Sequence, residues 1–396
     1  MMRRRIQLKR MYMILGAFLI MLLVGCAPDF SDDQEKVIDE TAPEESGQET
    51  AIIPNYSVSE SEYQVLLPYR LSQSRGVTTN QVANRLDINT IENDLRRHST
   101  TYFDPDTYFF QEGQQIDESE LYSWLERESD SVEEGLNPEI DDDEDMSTEE
   151  IEDMERENPK YLSHILEQNY LVRTDNNAVQ LAGISLGIAM KSNYRFQTEI
   201  GGPFYYEDIS KKEMLREANV IAEEVVNRLR AKDGLQEIPI MIAIYREAPR
   251  DGLVPGNFVA KTLVQGGSVT IDDWEEIDEA YVLFPSKEAR DIDPNLSSTV
   301  EEFKSEISKF FPNYVGVIGE GFYQDGQIRH LILDIPIEFY GQAEVIGFTQ
   351  YAYGLVMDSF QPHYGIEVNI KSNDRHESLI VREAGAEDAY VHIYQR

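Results

Sequence analysis

The chain has 396 residues, and its 74 Asp and Glu against 35 Lys and Arg give a formal net charge of −39. A field of this sign repels nucleic acid and anionic lipid headgroups, so the composition argues against nucleic acid as a partner. The hydrophobic content of 41% is typical of folded domains rather than of a disordered chain, and the single cysteine excludes an internal disulfide framework.

The N-terminus carries basic residues, then an apolar run and then the cysteine. Basic residues before an apolar segment hold the N-terminus on the cytoplasmic side of the membrane. The run Met11–Val24 is about 14 residues long, which is shorter than the ~20 residues that a membrane-spanning helix needs. This pattern predicts a cleaved secretory signal over residues 1–25, with an uncleaved transmembrane anchor as the weaker alternative.

The end of this signal, Leu23-Val24-Gly25-Cys26, has the pattern of a lipobox. In this interpretation a signal peptidase recognises Leu23, Val24 and Gly25, and the Cys26 thiol carries a thioether-linked diacylglyceride. Two or three acyl chains at one residue anchor a protein stably, whereas one chain does not. We therefore expect lipid attachment at Cys26, with the lipid bilayer and the prolipoprotein-processing enzymes as partners. The expected location is the extracytoplasmic face of the cell membrane.

Two acidic stretches separate or interrupt the predicted elements. Residues 26–58 mix Asp and Glu with Ser, Pro, Gly and Gln, which predicts a disordered acidic tether between the lipid and the folded body. Residues 126–157 are more acidic still and are predicted to form a disordered, surface-exposed insertion. An EF-hand loop needs a glycine at its sharp turn, and the acidic centre at 141–145 has none, so the sequence predicts no specific calcium site.

The order of the predicted elements occurs twice in the body. Each of the two series consists of a helix, two strands joined by a turn, a second helix and two further strands. The four helices of the two series are predicted over residues 160–169, 211–231, 299–311 and 343–360. Turns such as Asp325-Gly326 are typical of hairpins, which favours antiparallel or mixed sheets. The sequence thus predicts an α+β fold of two tandem, structurally related repeats, over residues 59–265 and 266–396.

One catalytic motif matches, because the segment 183–187 around Ser185 has the form G-x-S-x-G. A nucleophile elbow needs a strand, a tight turn at the serine and a helix directly after it. Here the extended pattern continues past Ser185, so a hydrolase is the weaker hypothesis. Ser185 is instead predicted to lie in a strand where the glycines allow close packing. The histidines show no metal-binding spacing, and we predict no catalytic residue, no cofactor, no metal site and no enzymatic activity.

Several short motifs along the chain resemble those of one family. They are the lipobox, the segment Tyr63–Tyr69, Ser74-Arg75-Gly76, the segment Phe110–Gln114 and Pro159-Lys160-Tyr161-Leu162. Together with the duplicated α+β body, these motifs resemble the CamS lipoproteins, the sex-pheromone precursor family of Gram-positive bacteria. The resemblance covers nearly the whole chain.

The resemblance implies two products from one precursor. In family members that make a pheromone, the peptide comes from the signal sequence just before the cysteine. The corresponding stretch here is Leu19–Gly25, which is apolar, and the partner implied for it is a peptide receptor. The family assigns no catalytic residues to the mature body. An alternative hypothesis is that the body is an extracytoplasmic ligand-binding module, with a cleft between the two repeats that faces a cationic or peptide ligand.

Overall fold

The structure is a computed structural model that describes part of the chain. The described residues are 62–77, 84–140, 146–174, 178–311, 313–314, 316–372 and 375–395. The signal segment, the lipobox, the tether and the acidic centre at 141–145 lie outside these residues, so the expectations for them stay predictions.

The first part of the described chain contributes one large sheet. Its helices are α1 (Arg85–Ser99), α2 (Glu118–Leu125), α3 (Thr148–Glu157) and α4 (Lys211–Arg230). Its strands are β1 (Gln64–Val65), β2 (Phe109–Glu112), β3 (Leu162–Arg173), β4 (Val179–Met190), β5 (Asn193–Phe196), β6 (Tyr205–Asp208), β7 (Ile240–Arg246), β8 (Asn257–Val264) and β9 (Glu275–Glu276). The sheet has the order β1-β2-β3-β4-β7-β8-β9, and β5 and β6 form a separate hairpin.

The second part contributes a six-stranded sheet in the order β10-β11-β12-β13-β14-β15. Its strands are β10 (Glu279–Phe284), β11 (Ile318–Gln324), β12 (Gln327–Pro336), β13 (Gly365–Ser372), β14 (Arg375–Arg382) and β15 (Tyr390–Ile393). Its helices are α5 (Lys287–Ile292), α6 (Pro294–Phe310) and α7 (Gln342–Ser359).

The two sheets share one connectivity over six strands. In the series β2-β3-β4-β7-β8-β9, the central pair β4/β7 is parallel and the other pairs are antiparallel. The series β10 to β15 has the same pattern, with β12/β13 as its parallel pair. A long helix, α4 or α7, connects the parallel strands in each case. The predicted α+β fold with mixed sheets is confirmed, and the shared connectivity is consistent with two related repeats.

The first sheet is buried on both faces. On one face, α4 residues such as Met214 and Ala218 pack with Leu186 of β4. On the other face, Ile91 and Leu95 of α1 belong to a second apolar cluster. The second sheet has its main core on the side of α6 and α7. Each fully buried Leu, Ile or Met side chain contributes about 1.5–3 kcal/mol, so these helices are held mainly by their apolar faces.

The segment predicted as a helix over 160–169 belongs to β3, and the helix prediction is wrong. Leu162, Ile165 and Leu166 have helical spacing, but β3 pairs on both sides, with β2 and β4. A strand that is covered on both faces carries apolar residues without alternation. Its apolar run therefore cannot be distinguished from a buried helix by spacing alone.

His164 lies in β3 and is 1% exposed, and burial lowers its pKa to about 3 from an ordinary value of 6.5. Below pH 6.5 the unfolded chain gains a proton at His164 and the folded chain does not. The free energy of unfolding therefore falls by about 1.4 kcal/mol for each pH unit between pH 6.5 and about pH 3. We expect a His164→Gln variant to lack this loss. Urea unfolding of both proteins across this range measures it, and parallel stability curves would contradict the prediction.

Order extends into the acidic segment that is predicted to be disordered. Helix α3 begins with a capping box, in which the Ser147 side chain accepts from the Glu150 N–H and the Glu150 carboxylate accepts from the Ser147 N–H. Such a box satisfies two helix-end donors and stabilises the first turn. Arg127 lies 2.5 Å from the carboxylate of Glu155 and fixes the helix to the preceding loop. Outside residues 141–145, the prediction of disorder is wrong.

Helix α1 also contacts the second sheet through an ion pair whose carboxylate is buried. Arg97 makes two hydrogen bonds to the Glu279 carboxylate, at 2.7 and 2.9 Å, and His98 Nε2 lies 3.3 Å from the same group. The Tyr281 hydroxyl donates to Asp94 at 2.8 Å. Burial by itself would raise the pKa of Glu279, but the hydrogen bonds from His98 and Arg97 hold it at about 2. Glu279 and Tyr281 lie in β10, so this network joins the two sheets.

Candidate functional site

The catalytic motif of the sequence lies inside the first sheet. Ser185 is in the middle of β4, paired with Gln168 of β3 and Met241 of β7, and it is fully buried. Its hydroxyl accepts a 2.8 Å hydrogen bond from Ser99 of α1. The strand continues on both sides of Ser185 without the sharp turn of a nucleophile elbow. Ser185 is therefore not a nucleophile-elbow serine, and the prediction of a closely packed strand residue is confirmed.

The predicted lipid attachment residue and its peptidase recognition sequence cannot be placed in this fold. Cys26, Leu23, Val24 and Gly25 all lie outside the described residues. Among the helices that the structure describes, none is both long and apolar enough to cross a membrane. The described part of the chain also holds no group of three or more His, Cys, Asp or Glu side chains arranged to bind a metal ion.

A cavity of about 870 Å³ opens at one edge of the first sheet. It lies where the parallel strands β4 and β7 end and where α4 begins. Its lining includes Ser192, Asp208, Ser210, Arg246, Arg250 and Asp251, and we call it the Arg246 cavity. Ligands commonly bind in this position in α/β sheets, because the carboxyl ends of parallel strands and a helix N-terminus meet there.

Two buried polar atoms in the Arg246 cavity lack a hydrogen-bond partner. Arg246 Nη2 donates to the backbone oxygen of Ile209 at 3.2 Å, but Arg246 Nε is buried and unpartnered among the described residues. Ser192 is 7% exposed, and its Oγ is also buried and unpartnered there. Most buried polar groups are hydrogen-bonded, because an unsatisfied one costs about 1–3 kcal/mol. Both groups can donate to an acceptor supplied by a ligand.

The N-terminus of α4 adds a favourable potential for an anion. Ser210 caps this 20-residue helix, and its side chain accepts from the backbone N–H of Glu213 at 3.2 Å. The aligned peptide dipoles place a partial positive charge of about half a unit at this end. The Glu213 carboxylate, which accepts a 2.6 Å hydrogen bond from Tyr161, opposes this charge in part.

The opening of the Arg246 cavity carries charges of both signs. Arg246 and Arg250 have no carboxylate partner within 4.0 Å among the described residues. Asp208 accepts a 2.7 Å hydrogen bond from Asn193, and Asp251 is exposed next to Arg250 in the chain. The cavity therefore offers guanidinium groups to an anion and carboxylates to a cation.

The equivalent edge of the second sheet differs in charge. Arg246 is the last β7 residue paired with β4, opposite Met190. Lys371 has the same position on β13, as the last residue paired with β12, opposite Pro336. Lys371 Nζ lies 2.8 Å from Asp334 Oδ2, so this cation is neutralised within the chain. The two sheets thus share their topology but not the unpaired arginine.

Sequence reasoning did not single out Arg246 or Ser192. It placed a candidate cleft between the two repeats, whereas the Arg246 cavity lies within the first one. The feature of the sequence that could have indicated this site is Arg246, which directly follows the apolar residues 240–245 and is itself followed by further charged residues. That signal is weak, because only the pairing of β4 with β7 brings Ser192 and Arg246 to one edge of the sheet.

Comparisons with known proteins identify the family. The sequence profile of the CamS sex pheromone cAM373 precursor family matches residues 69–388. The chain belongs to this family. Among solved structures, it is similar to a sex pheromone precursor from Lactobacillus salivarius subsp. salivarius UCC118, with 30% identity and a TM-score of 0.79. The similarity covers 86% of this chain and 98% of that chain. The predicted resemblance to the CamS family is confirmed.

A second solved structure supports the same assignment. It is the C-terminal domain of the sex pheromone staph-cAM373 precursor from Staphylococcus aureus, with 28% identity and a TM-score of 0.69. The similarity covers 80% of this chain and 99% of that chain. A search of curated proteins gave no significant match.

Proposed function

We propose that this CamS family protein is made as a lipoprotein precursor, cut before Cys26 and anchored through Cys26 to the extracytoplasmic face of the membrane. The observation that carries this proposal is the single cysteine of the chain, which stands directly behind a basic and then apolar N-terminal segment. Membership in a family of precursors supports it, because a precursor is cut during its maturation.

The charge of the chain supports a covalent lipid anchor. Residues 1–25 hold five of the 35 Lys and Arg and no Asp or Glu, so the chain from Cys26 onwards has a formal net charge of −44. Such a body is repelled by anionic lipid headgroups and does not adsorb to them by electrostatics. Two acyl chains at Cys26 supply a stable attachment instead.

We also propose that the segment Leu19–Gly25 is released as a short apolar peptide, with a peptide receptor as its partner. Cleavage before Cys26 leaves Gly25 at the end of the signal segment, so trimming from the other side is sufficient to free the peptide. The description of the matching family as a sex pheromone precursor supports this product.

A Cys26→Ala variant is expected to lose lipid labelling and to accumulate as the uncut precursor. The reason is that no other side chain of the sequence can form the thioether. Metabolic labelling with a radioactive fatty acid and membrane fractionation measure both effects. A matched control adds Ser31→Cys to Cys26→Ala, which restores a thiol outside the lipobox and should not restore labelling. Labelling of Cys26→Ala at the wild-type level would contradict the proposal.

The peptide product is tested separately, by mass spectrometry of the culture supernatant. We expect fragments from residues 11–25 that end at Gly25 in cells making the wild-type protein. Cells making Cys26→Ala should lack them, because cleavage depends on the modified cysteine. The absence of such fragments from cells whose protein is correctly lipidated would contradict peptide release and leave the anchoring proposal intact.

A further inference from the structure

We propose that the Arg246 cavity binds a short peptide through its C-terminal carboxylate. The cavity lies wholly in the folded body, so binding there requires neither lipid attachment nor release of the signal peptide.

The donors of the Arg246 cavity match a carboxylate. The planar guanidinium group of Arg246 presents several N–H donors in a rigid arrangement that suits two carboxylate oxygens. The hydrogen bond from Nη2 to Ile209 fixes the orientation of this group and leaves the buried Nε–H for a ligand. Ser192 Oγ supplies a second buried donor, and the α4 N-terminus favours a negative charge.

The remaining lining suits a peptide better than a small inorganic anion. A volume of about 870 Å³ lies in the usual range for organic ligands and is far larger than one phosphate or sulfate requires. Tyr206 and Pro249 offer apolar surface for side chains next to the polar groups. The exposed carboxylate of Asp251 can receive the ammonium group at the other end of a short peptide. A ligand with a carboxylate, an ammonium group and apolar side chains uses all of these features.

The second sheet provides an internal comparison. At the equivalent position, Lys371 is already paired with Asp334. A peptide carboxylate would have to displace Asp334 from Lys371 there. We therefore expect one binding site per chain, in the first sheet.

Isothermal titration calorimetry on the full-length protein in detergent tests the proposal, with the tripeptide Ala-Leu-Ala as the probe. We expect one site per chain, and affinity at least about tenfold lower for the C-terminal amide, because the amide lacks the charge that Arg246 pairs with. No binding of the tripeptide, or equal binding of its amide, would overturn the proposal. Inorganic phosphate that binds as tightly and displaces the tripeptide would identify a general anion site and would also overturn it.

Variants locate the binding within the protein. Arg246→Gln should weaken tripeptide binding at least about tenfold, because it removes a charge-assisted hydrogen bond. Arg250→Gln should weaken it about threefold, and this exposed substitution leaves the core untouched if Arg246→Gln fails to fold. The matched control is Arg216→Gln on α4, whose side chain is 70% exposed and lies outside the Arg246 cavity. Equal losses in Arg216→Gln and Arg250→Gln would overturn the assignment to this cavity.

Discussion

Replacing Glu279 with alanine is expected to lower the free energy of unfolding by about 3 kcal/mol. The Glu279 side chain is fully buried and accepts hydrogen bonds from Arg97 and His98 of α1. Removal of one member of a buried ion pair leaves the other charge uncompensated, which costs about 3–5 kcal/mol when both are buried. The Arg97 side chain is 36% exposed, so water compensates part of the loss and the lower end of this range applies.

The control for this variant is Glu276→Ala, three residues earlier in the chain. Glu276 is 82% exposed and lies 3.5 Å from Lys211, so its loss should change the unfolding free energy by about 0.5 kcal/mol or less. Denaturant unfolding of the two variants gives the comparison. Equal stability of Glu279→Ala and Glu276→Ala would contradict a structural role for the Arg97–Glu279 pair.

The contribution of the Arg97–Glu279 pair to stability should be lost at acid pH. The folded pKa of Glu279 is about 2 against an ordinary 4.5, so its contribution is fully present above pH 4.5 and is lost as the pH falls towards 2. The full loss corresponds to roughly 3 kcal/mol. A Glu279→Gln variant removes the titration, so its stability should fall less than that of the wild type across this pH range. Identical acid profiles would contradict the assigned pKa.

Replacing Gly183 with alanine is expected to cost about 3 kcal/mol of stability. A Cβ atom at position 183 would lie 2.3 Å from Phe103 Cε1, which is far closer than atoms can pack. Phe103 cannot move away easily, because its ring is buried and stacked on Tyr170 with 4.7 Å between the ring centroids. Thermal and denaturant unfolding of the variant measure the loss.

The neighbouring glycine of the same motif gives a matched control. A Cβ atom at Gly187 would lie 3.2 Å from Leu95 Cδ2, the end of a flexible side chain that can shift by a few tenths of an ångström. Gly187→Ala should therefore cost about 1 kcal/mol or less. An equal or larger loss in Gly187→Ala than in Gly183→Ala would show that the Phe103 contact is not what requires glycine.

Regular local patterns were predicted well. The helices predicted over residues 211–231 and 343–360 occur as α4 and α7. The turn at Asp325-Gly326 joins β11 to β12, with φ values of 53° and 69° that suit a tight hairpin. These features depend on residues close together in the chain, and their periodicity or turn chemistry is visible without the fold.

Two elements were predicted wrongly because packing decides them. β3 has the spacing of a buried helix, and only its position between β2 and β4 makes it a strand. Helix α3 lies in a segment whose composition indicates disorder, yet a capping box and the Arg127–Glu155 pair hold it in place. The composition of a segment is an average over its residues, so it does not show whether a few of them form stabilising contacts such as a capping box or an ion pair.

The sequence by itself determined the net charge, the position of the only cysteine, the α+β class and the resemblance to the CamS family. Only the tertiary structure decided that the G-x-S-x-G motif is a packing surface for α1, and that Arg246 and Ser192 share one cavity. It also brought together Arg97 and Glu279, which are 182 residues apart in the chain. The physical reason is that burial and hydrogen bonding depend on residues that meet only after the sheets and helices have packed.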